Sequence, residues 1–119
     1  MTATLTSTSQ FLQGVFSFDG RGLDQPFLLD PSLVYEVPRD REAQLVYFRA
    51  GNASPHLIYV TIMRDGAPMR FFPIGAESSV HVPLRVVEDL EPGTTLEVHA
   101  AGAAGVSGVL VIDLGLVEV

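Results

Sequence analysis

Two of the three histidines are the candidates for metal binding. His81 and His99 each stand between two apolar residues, in segments with the pattern of a strand. A protein metal site needs three or four converging ligands, so this hypothesis requires the two strands to be neighbours in register, with a further histidine or glutamate nearby. The alternative is two strand histidines half covered by their neighbours, because the tight spacing of His-x-His or His-Glu-x-x-His is missing. No cofactor is predicted.

Arginine and tyrosine side chains are the candidates for binding an organic ligand. Arg64 and Arg70 fall on the two arms of a predicted hairpin, where such a pair either binds an anionic group or protects an outer strand by its charge. Together with Arg49 and Tyr47 they make up the predicted ligand-binding set, for carbohydrate or a small acid. The absence of tryptophan weakens a sugar-stacking surface.

No catalytic constellation accompanies these residues. The segment from Gly105 to Gly108 misses the Gly-x-Ser-x-Gly nucleophile elbow, and a strand follows it where a helix would be required. The carboxylates fall mostly in turns, and the chain has no cysteine. We therefore predict that it is not an enzyme.

One segment, Phe72–Pro83, resembles the second conserved stretch of the cupins, in which a Pro-x-Gly turn precedes a metal-binding histidine. His81 takes the place of that histidine. The first cupin stretch, with its His-x-His and following Glu, has no counterpart, because His56 stands alone before an apolar strand. The resemblance is therefore compatible with a metal-free jelly roll and not with a cupin enzyme.

The composition predicts one folded domain and argues against two classes of partner. The 119 residues are 47% hydrophobic, enough for one domain with a sizeable core. Seven arginines, no lysine and 14 acidic residues give a net charge of -7, which argues against nucleic acid and anionic membranes because both need a basic surface. No apolar run is long enough to span a membrane, and the first residues lack the pattern of a secretory signal, so a cytoplasmic location is expected.

The segments that must position these side chains have the sequence pattern of β-strands. Short apolar segments are separated about every eight to twelve residues by Gly, Pro, Asp or Asn, which is typical of an all-β sandwich. We predict an antiparallel two-sheet β-sandwich of eight or nine strands, jelly-roll or immunoglobulin-like, over residues 11–119, after a flexible or docked arm at 1–10. The strands are predicted at Phe11–Phe18, Phe27–Leu29, Leu33–Val37, Gln44–Ala50, Leu57–Arg64, Ala67–Phe72, Ser79–Leu84, Thr95–Ala101 and Gly108–Val117, with one helical turn as the alternative for Leu84–Leu90.

A hairpin at Asp65-Gly66 is the strongest local prediction. Asp-Gly supplies the two positive-φ positions of a type I′ turn, and β-branched or aromatic residues flank it. Pro68 cannot donate a ladder hydrogen bond, so it should lie at a non-bonded position or on an edge strand.

Two segments depart from the alternation expected of a strand with one wet face. Leu57–Met63 and the chain from Val106 onward place apolar residues on both faces, so both strands should be covered on two sides. A second copy of the chain or another protein is one source of that cover, and the chain's own loops are the alternative. The predicted interface residues are Leu57, Tyr59, Met63, Val109, Val111 and Val117.

These patterns predict a non-enzymatic structural or interaction protein. It would assemble into a homo-oligomer or serve as an accessory subunit of a larger complex. The alternative is a jelly-roll module that binds carbohydrate, a small acid or a metal.

Overall fold

The protein is an antiparallel two-sheet β-sandwich, which confirms the predicted fold class. The computed structural model describes residues 6–84 and 89–119. Within them, no helix is long and apolar enough to cross a membrane. The strands are β1 (Thr8–Asp19), β2 (Phe27–Leu28), β3 (Val34–Glu36), β4 (Ala43–Asn52), β5 (Ile58–Arg64), β6 (Ala67–Ile74), β7 (Ser78–Pro83), β8 (Asp89–Leu90), β9 (Thr95–Gly102) and β10 (Ser107–Glu118), and a 3-10 turn spans Pro31–Leu33.

The strand order is that of a jelly roll. The first sheet runs β1-β10-β4-β7, with β8 also paired to β4, and the second runs β2-β9-β5-β6, with β3 also paired to β9. If β2 and β3 are taken as two short pieces along β9, the pairs are nested: β1 with β10, β2 and β3 with β9, β4 with β7, and β5 with β6. This nesting selects the jelly roll from the two predicted alternatives.

All nine predicted strands are present, with ends displaced by up to three residues. The largest displacement is at the start of β1, where residues 8–10 belong to the strand and not to the predicted arm. Residues 1–5 of that arm lie outside the described residues. The helical turn considered for Leu84–Leu90 lies partly outside them too, at residues 85–88, and its last two residues form β8.

The Asp65-Gly66 hairpin is confirmed. Asp65 and Gly66 have φ angles of 49° and 82°, and Arg64 pairs with Ala67. The Asp65 carboxylate accepts a hydrogen bond from the Thr95 backbone N at 2.9 Å, which ties the turn to β9. β6 is an edge strand, so Pro68 lies where its missing N–H costs least.

The core lies between the inner faces of the two sheets. The Phe48 ring of β4 stacks on the Phe72 ring of β6 with centroids 4.2 Å apart, which joins the sheets at their centre. Ile58, Val60 and Ile62 alternate inward along β5 and are fully buried. Each side chain of this size stabilises the fold by about 1.5–3 kcal/mol through burial.

A partly buried polar contact joins the sheets at one end of the core. The Tyr35 hydroxyl of β3 donates a hydrogen bond to Oε2 of Glu118, near the end of β10. Burial, followed by the hydrogen bond and the negative charge of Glu118, raises the pKa of Tyr35 well above its ordinary value. The phenol therefore remains protonated and continues to donate to the carboxylate over the physiological pH range.

Asn52 organises the opposite end. Its buried side-chain amide donates to the backbone oxygens of His56 at 2.8 Å and Gly75 at 3.0 Å, and its Oδ1 accepts from the Ser54 backbone N at 2.9 Å. One side chain thus satisfies groups in two loops that would otherwise be buried without partners.

Candidate functional site

The solvent-facing side of the first sheet, here called the outer face, is the candidate functional surface. Side chains alternate along a strand, and the cross-strand register places one set on this side in neighbouring rows. These residues are Phe11, Gln13, Val15 and Ser17 of β1, Val109, Val111, Asp113 and Gly115 of β10, Tyr47, Arg49 and Gly51 of β4, and Ser79, His81 and Pro83 of β7.

An apolar strip runs along β1 and β10 on the outer face. Val15 is 69% exposed and pairs directly with Val111, which is 48% exposed. Val109, 36% exposed, extends the strip in the row after Val111, and Phe11, 54% exposed, lies on the other side of the row formed by Gln13 and Asp113. Single exposed apolar side chains are ordinary on protein surfaces, but three in neighbouring rows of one sheet face, with a fourth beyond one polar row, are typical of a binding surface.

A polar cluster of Tyr47, Arg49, His81 and Asp113, here called the quartet, lies beside this strip. The Tyr47 hydroxyl donates to Asp113 Oδ1 at 2.7 Å, and Arg49 donates to Oδ2 through both Nε and Nη2. The Arg49 guanidinium also lies 5.1 Å from the centre of the Tyr47 ring. His81 meets that ring edge-on, with centroids 6.2 Å apart.

Contacts within the quartet shift the pKa values of Asp113 and Tyr47. Burial opposes ionisation of Asp113, but the hydrogen bonds from Tyr47 and Arg49 and the positive charge of Arg49 outweigh it and lower the pKa of Asp113. Burial and the Asp113 hydrogen bond raise the pKa of Tyr47. The quartet therefore presents a neutral phenol beside an ion pair at neutral pH.

Two glycines shape this part of the face. The Tyr47 ring packs on Gly115, where a Cβ would lie well inside van der Waals contact with the ring. Gly51, in contrast, leaves open space, because an added Cβ would meet only Val111 at 3.8 Å. A shallow depression of about 600 Å³ lies over Gly51, lined by Arg49, Ala50, Gly51, Ser79, Val80, His81, Val111 and Asp113.

The predicted interface residues lie on two different sides of the sandwich. Val109, Val111 and Val117 lie on β10 at positions that share the outer face of the first sheet, with Asp113 and Gly115 between Val111 and Val117. Tyr59 and Met63 face away from the core on β5 of the second sheet, and Leu57 precedes that strand with its side chain exposed. The Tyr59 hydroxyl donates to the backbone oxygen of Leu23 at 2.7 Å, so the loop between β1 and β2 reaches over this side.

The predicted ligand-binding set is divided. Tyr47 and Arg49 meet in the quartet, whereas Arg64 and Arg70 lie on β5 and β6 of the second sheet. Sequence reasoning missed the partner that joins Tyr47 to Arg49. Asp113 is the only charged residue between Val109 and Val117, and a single charge inside an apolar strand was the available signal that it has a partner.

The two candidate metal ligands do not meet. His81 lies on β7 of the first sheet and His99 on β9 of the second, so the adjacency that the metal hypothesis required is not found. His99 contacts Glu97 at 2.9 Å. Over residues 6–84 and 89–119, no three His, Cys, Asp or Glu side chains are grouped to hold a metal ion.

Comparison with known proteins gives little beyond the fold. No protein-family model matches the sequence, and no curated protein matches it. Among solved structures, the chain is similar to a variant of an exo-β-1,3-galactanase from Phanerochaete chrysosporium in complex with β-1,3-galactotriose, with a TM-score of 0.41, 14% identity and 92% of this chain covered. The same enzyme with galactose gives a TM-score of 0.39 at 14% identity over 98% of this chain. In both cases the match covers 30% of the galactanase chain.

Proposed function

We propose that this protein is a non-enzymatic interaction module whose outer face binds a protein partner, in the first instance another copy of the chain. The observation that supports this is the apolar strip of Phe11, Val15, Val109 and Val111, exposed on one face of a protein with a net charge of -7. In the same proposal the chain is either a homo-oligomer or an accessory subunit of a larger complex.

The dimensions of the outer face suit this role. Its two longest strands have 12 residues each. β4 has 10 residues and β7 has six. At about 3.4 Å per residue and 4.8 Å between strands, the four strands together cover roughly 650 Å². A standard protein interface buries about 800 Å² on each partner, so this one face, measured without the relief of its side chains, provides most of the area that specific association needs.

Sedimentation velocity across the micromolar range tests the proposal with two matched variants. Val15→Arg places a charge in the strip and should weaken self-association by at least tenfold, because the guanidinium would have to be desolvated without a partner. Phe71→Arg changes an apolar residue of similar exposure on the second sheet and should leave association unchanged. A wild-type protein that stays monomeric throughout would refute self-association.

A second candidate function is ligand binding at the quartet. The depression over Gly51 supports it, because an open hollow is bordered there by the guanidinium of Arg49 and the imidazole of His81. Both groups donate hydrogen bonds to hydroxyl or carboxylate oxygens, which suits a carbohydrate or a small acid.

A thermal-shift screen with sugars and organic acids tests this second candidate. A ligand at one hundred times its Kd stabilises the fold by about 2.7 kcal/mol, a shift that is easily measured. Arg49→Ala should abolish the shift, whereas Arg64→Ala, on the other sheet, should preserve it. If no ligand raises the melting temperature, or if Arg64→Ala removes the shift as completely, this candidate is refuted.

A further inference from the structure

We propose that β1 pairs edge to edge with β1 of a second copy, antiparallel and about a two-fold axis at Gln13, so that two first sheets join into one continuous sheet. The inference rests on the proposed self-association and adds its geometry. Among the described strands β1 pairs only with β10, so its other edge carries backbone N–H and C=O groups that none of these strands satisfies.

β1 lacks the devices that normally protect an edge strand. It is 12 residues long and contains no proline, no lysine and no arginine, and its single charge is Asp19 at the very end. Natural edge strands are usually short, bulged, charged or interrupted by proline, because an open edge is a template for pairing. By these criteria the open edge of β1 is suited to pairing with a further strand.

The other sheet edges of the described chain do carry such protection. β6 contains Pro68 and Pro73, and its pairing with β5 is broken by a bulge. β7 has six residues and ends at Pro83. The remaining edge of the second sheet consists of β2 and β3, which have two and three residues. Three of the four described sheet edges are therefore protected against pairing, and the longest, that of β1, is the one left open.

Side-chain parity restricts the register of the pair. A two-fold axis perpendicular to the sheet keeps the outer face of both copies on one side, so the axis must pass through a residue and not between two. An axis at Gln13 sets Phe11 of each copy opposite Val15 of the other and Ser9 opposite Ser17. Aromatic side chains opposite β-branched ones are favourable cross-strand pairs.

An axis at Gly14 is the neighbouring alternative, and it is less favourable. It would set Phe11 opposite Ser17 and Val15 opposite Gln13, which leaves both large apolar side chains against polar ones. At Gln13 the two side-chain amides face each other and can exchange hydrogen bonds, because an amide both donates and accepts. The self-complementarity of this register is the reason for naming a second copy, and not a foreign peptide, as the occupant.

The paired edges would also enlarge the outer face. Phe11 and Val15 lie on β1 itself, 54% and 69% exposed, so the strips of the two copies would meet across the axis. Edge pairing therefore brings the two most exposed residues of the strip of each copy side by side and leaves Val111, on β10, for a further contact.

Cysteine cross-linking tests this register directly, because the chain has no cysteine of its own. In Gln13→Cys the two new thiols lie opposite each other across the axis, at about the 4.4–6.8 Å between Cα atoms that a disulfide needs. In Val15→Cys they are offset by four residues, about 13 Å. Under mild oxidation of the full chain we expect a covalent dimer of Gln13→Cys in high yield, with at least tenfold less from Val15→Cys and from Val111→Cys.

Gln13→Lys gives an independent readout in solution. Two ammonium groups at the axis repel each other, so the dissociation constant of the dimer should increase at least tenfold. The increase should be larger at low salt than at high salt. Gln13 is exposed, and the melting temperature of the monomer should stay unchanged. If the wild type associates but Gln13→Lys has no effect and Val111→Cys cross-links as well as Gln13→Cys, edge pairing is refuted and the outer-face proposal stands. A wild type that never associates would refute both.

Discussion

Replacing Tyr35 by phenylalanine should destabilise the fold by about 2 kcal/mol, because a hydrogen bond to a charged acceptor contributes about 1.5–3 kcal/mol. The substitution removes only the hydroxyl that donates to Glu118 and leaves the ring in place. Glu118 is buried, so its carboxylate would lose a donor that water replaces poorly. For a domain of about 100 residues, this loss lowers the melting temperature by roughly 8 °C.

Urea unfolding of the wild type, Tyr35→Phe and Tyr59→Phe separates the loss of this hydrogen bond from the general cost of removing a tyrosine hydroxyl. Tyr59→Phe is the matched control, because the Tyr59 hydroxyl donates to a neutral backbone oxygen at an exposed site, where the cost should be about 0.5–1 kcal/mol. The slope of the unfolding free energy against urea should be the same for the wild type and both variants. A Tyr35→Phe variant no less stable than Tyr59→Phe would refute the role assigned to the contact between Tyr35 and Glu118.

A second substitution, at Glu118, identifies why Tyr35→Phe loses stability. If the uncompensated charge of Glu118 is responsible, Glu118→Gln should be less damaging in the Tyr35→Phe background than in the wild type. The double variant would then lose less stability than the sum of the two single changes. Strict additivity would contradict the coupling.

Further predictions concern pH, two glycines and one buried amide. The raised pKa of Tyr35 means that its contribution is fully present below its ordinary pKa of about 10 and is lost as pH rises towards the folded value, so the stability difference between wild type and Tyr35→Phe should narrow in urea titrations above about pH 10. Gly115→Ala should displace the Tyr47 ring and change the near-UV circular dichroism, and an unchanged spectrum would contradict the packing described. Gly51→Ala should leave the melting temperature unchanged or slightly higher, because its Cβ meets no close atom; a clear loss would be the contrary result. Asn52→Ala should cost about 3 kcal/mol in urea unfolding, since it strips buried backbone groups of their partners, and a loss below about 1 kcal/mol would contradict this account.

Local patterns were sufficient to locate the strands. Apolar alternation and turn residues act over a few positions, so the Asp65-Gly66 hairpin and the nine predicted strands could be found without tertiary information. β8 has only two residues and exists because β4 pairs with it, so it has no pattern of its own. Thr8 and Ser9 resemble a loop in composition, but their pairing with Glu118 and Val117 makes them part of a strand.

The candidate site needed information that no local pattern holds. Tyr47 and Arg49 are two residues apart and share a strand face, so their proximity could be predicted. Asp113 lies 64 positions beyond Arg49, and which strand brings it there depends on the nesting of the jelly roll. For the same reason His81 and His99 could be proposed as partners from their similar surroundings, although the sheet order places them on opposite sheets.

The position of β10 has a consequence for how the protein is made. β10 is the last strand in chain order, yet it lies between β1 and β4 in the middle of the first sheet. At a synthesis rate of about 5–20 residues per second, β1 emerges several seconds before the strand it pairs with. Until then both β1 and β4 have an open edge on the side that β10 will fill. The growing chain, more than the finished sandwich, is therefore the state in which unwanted strand pairing must be prevented.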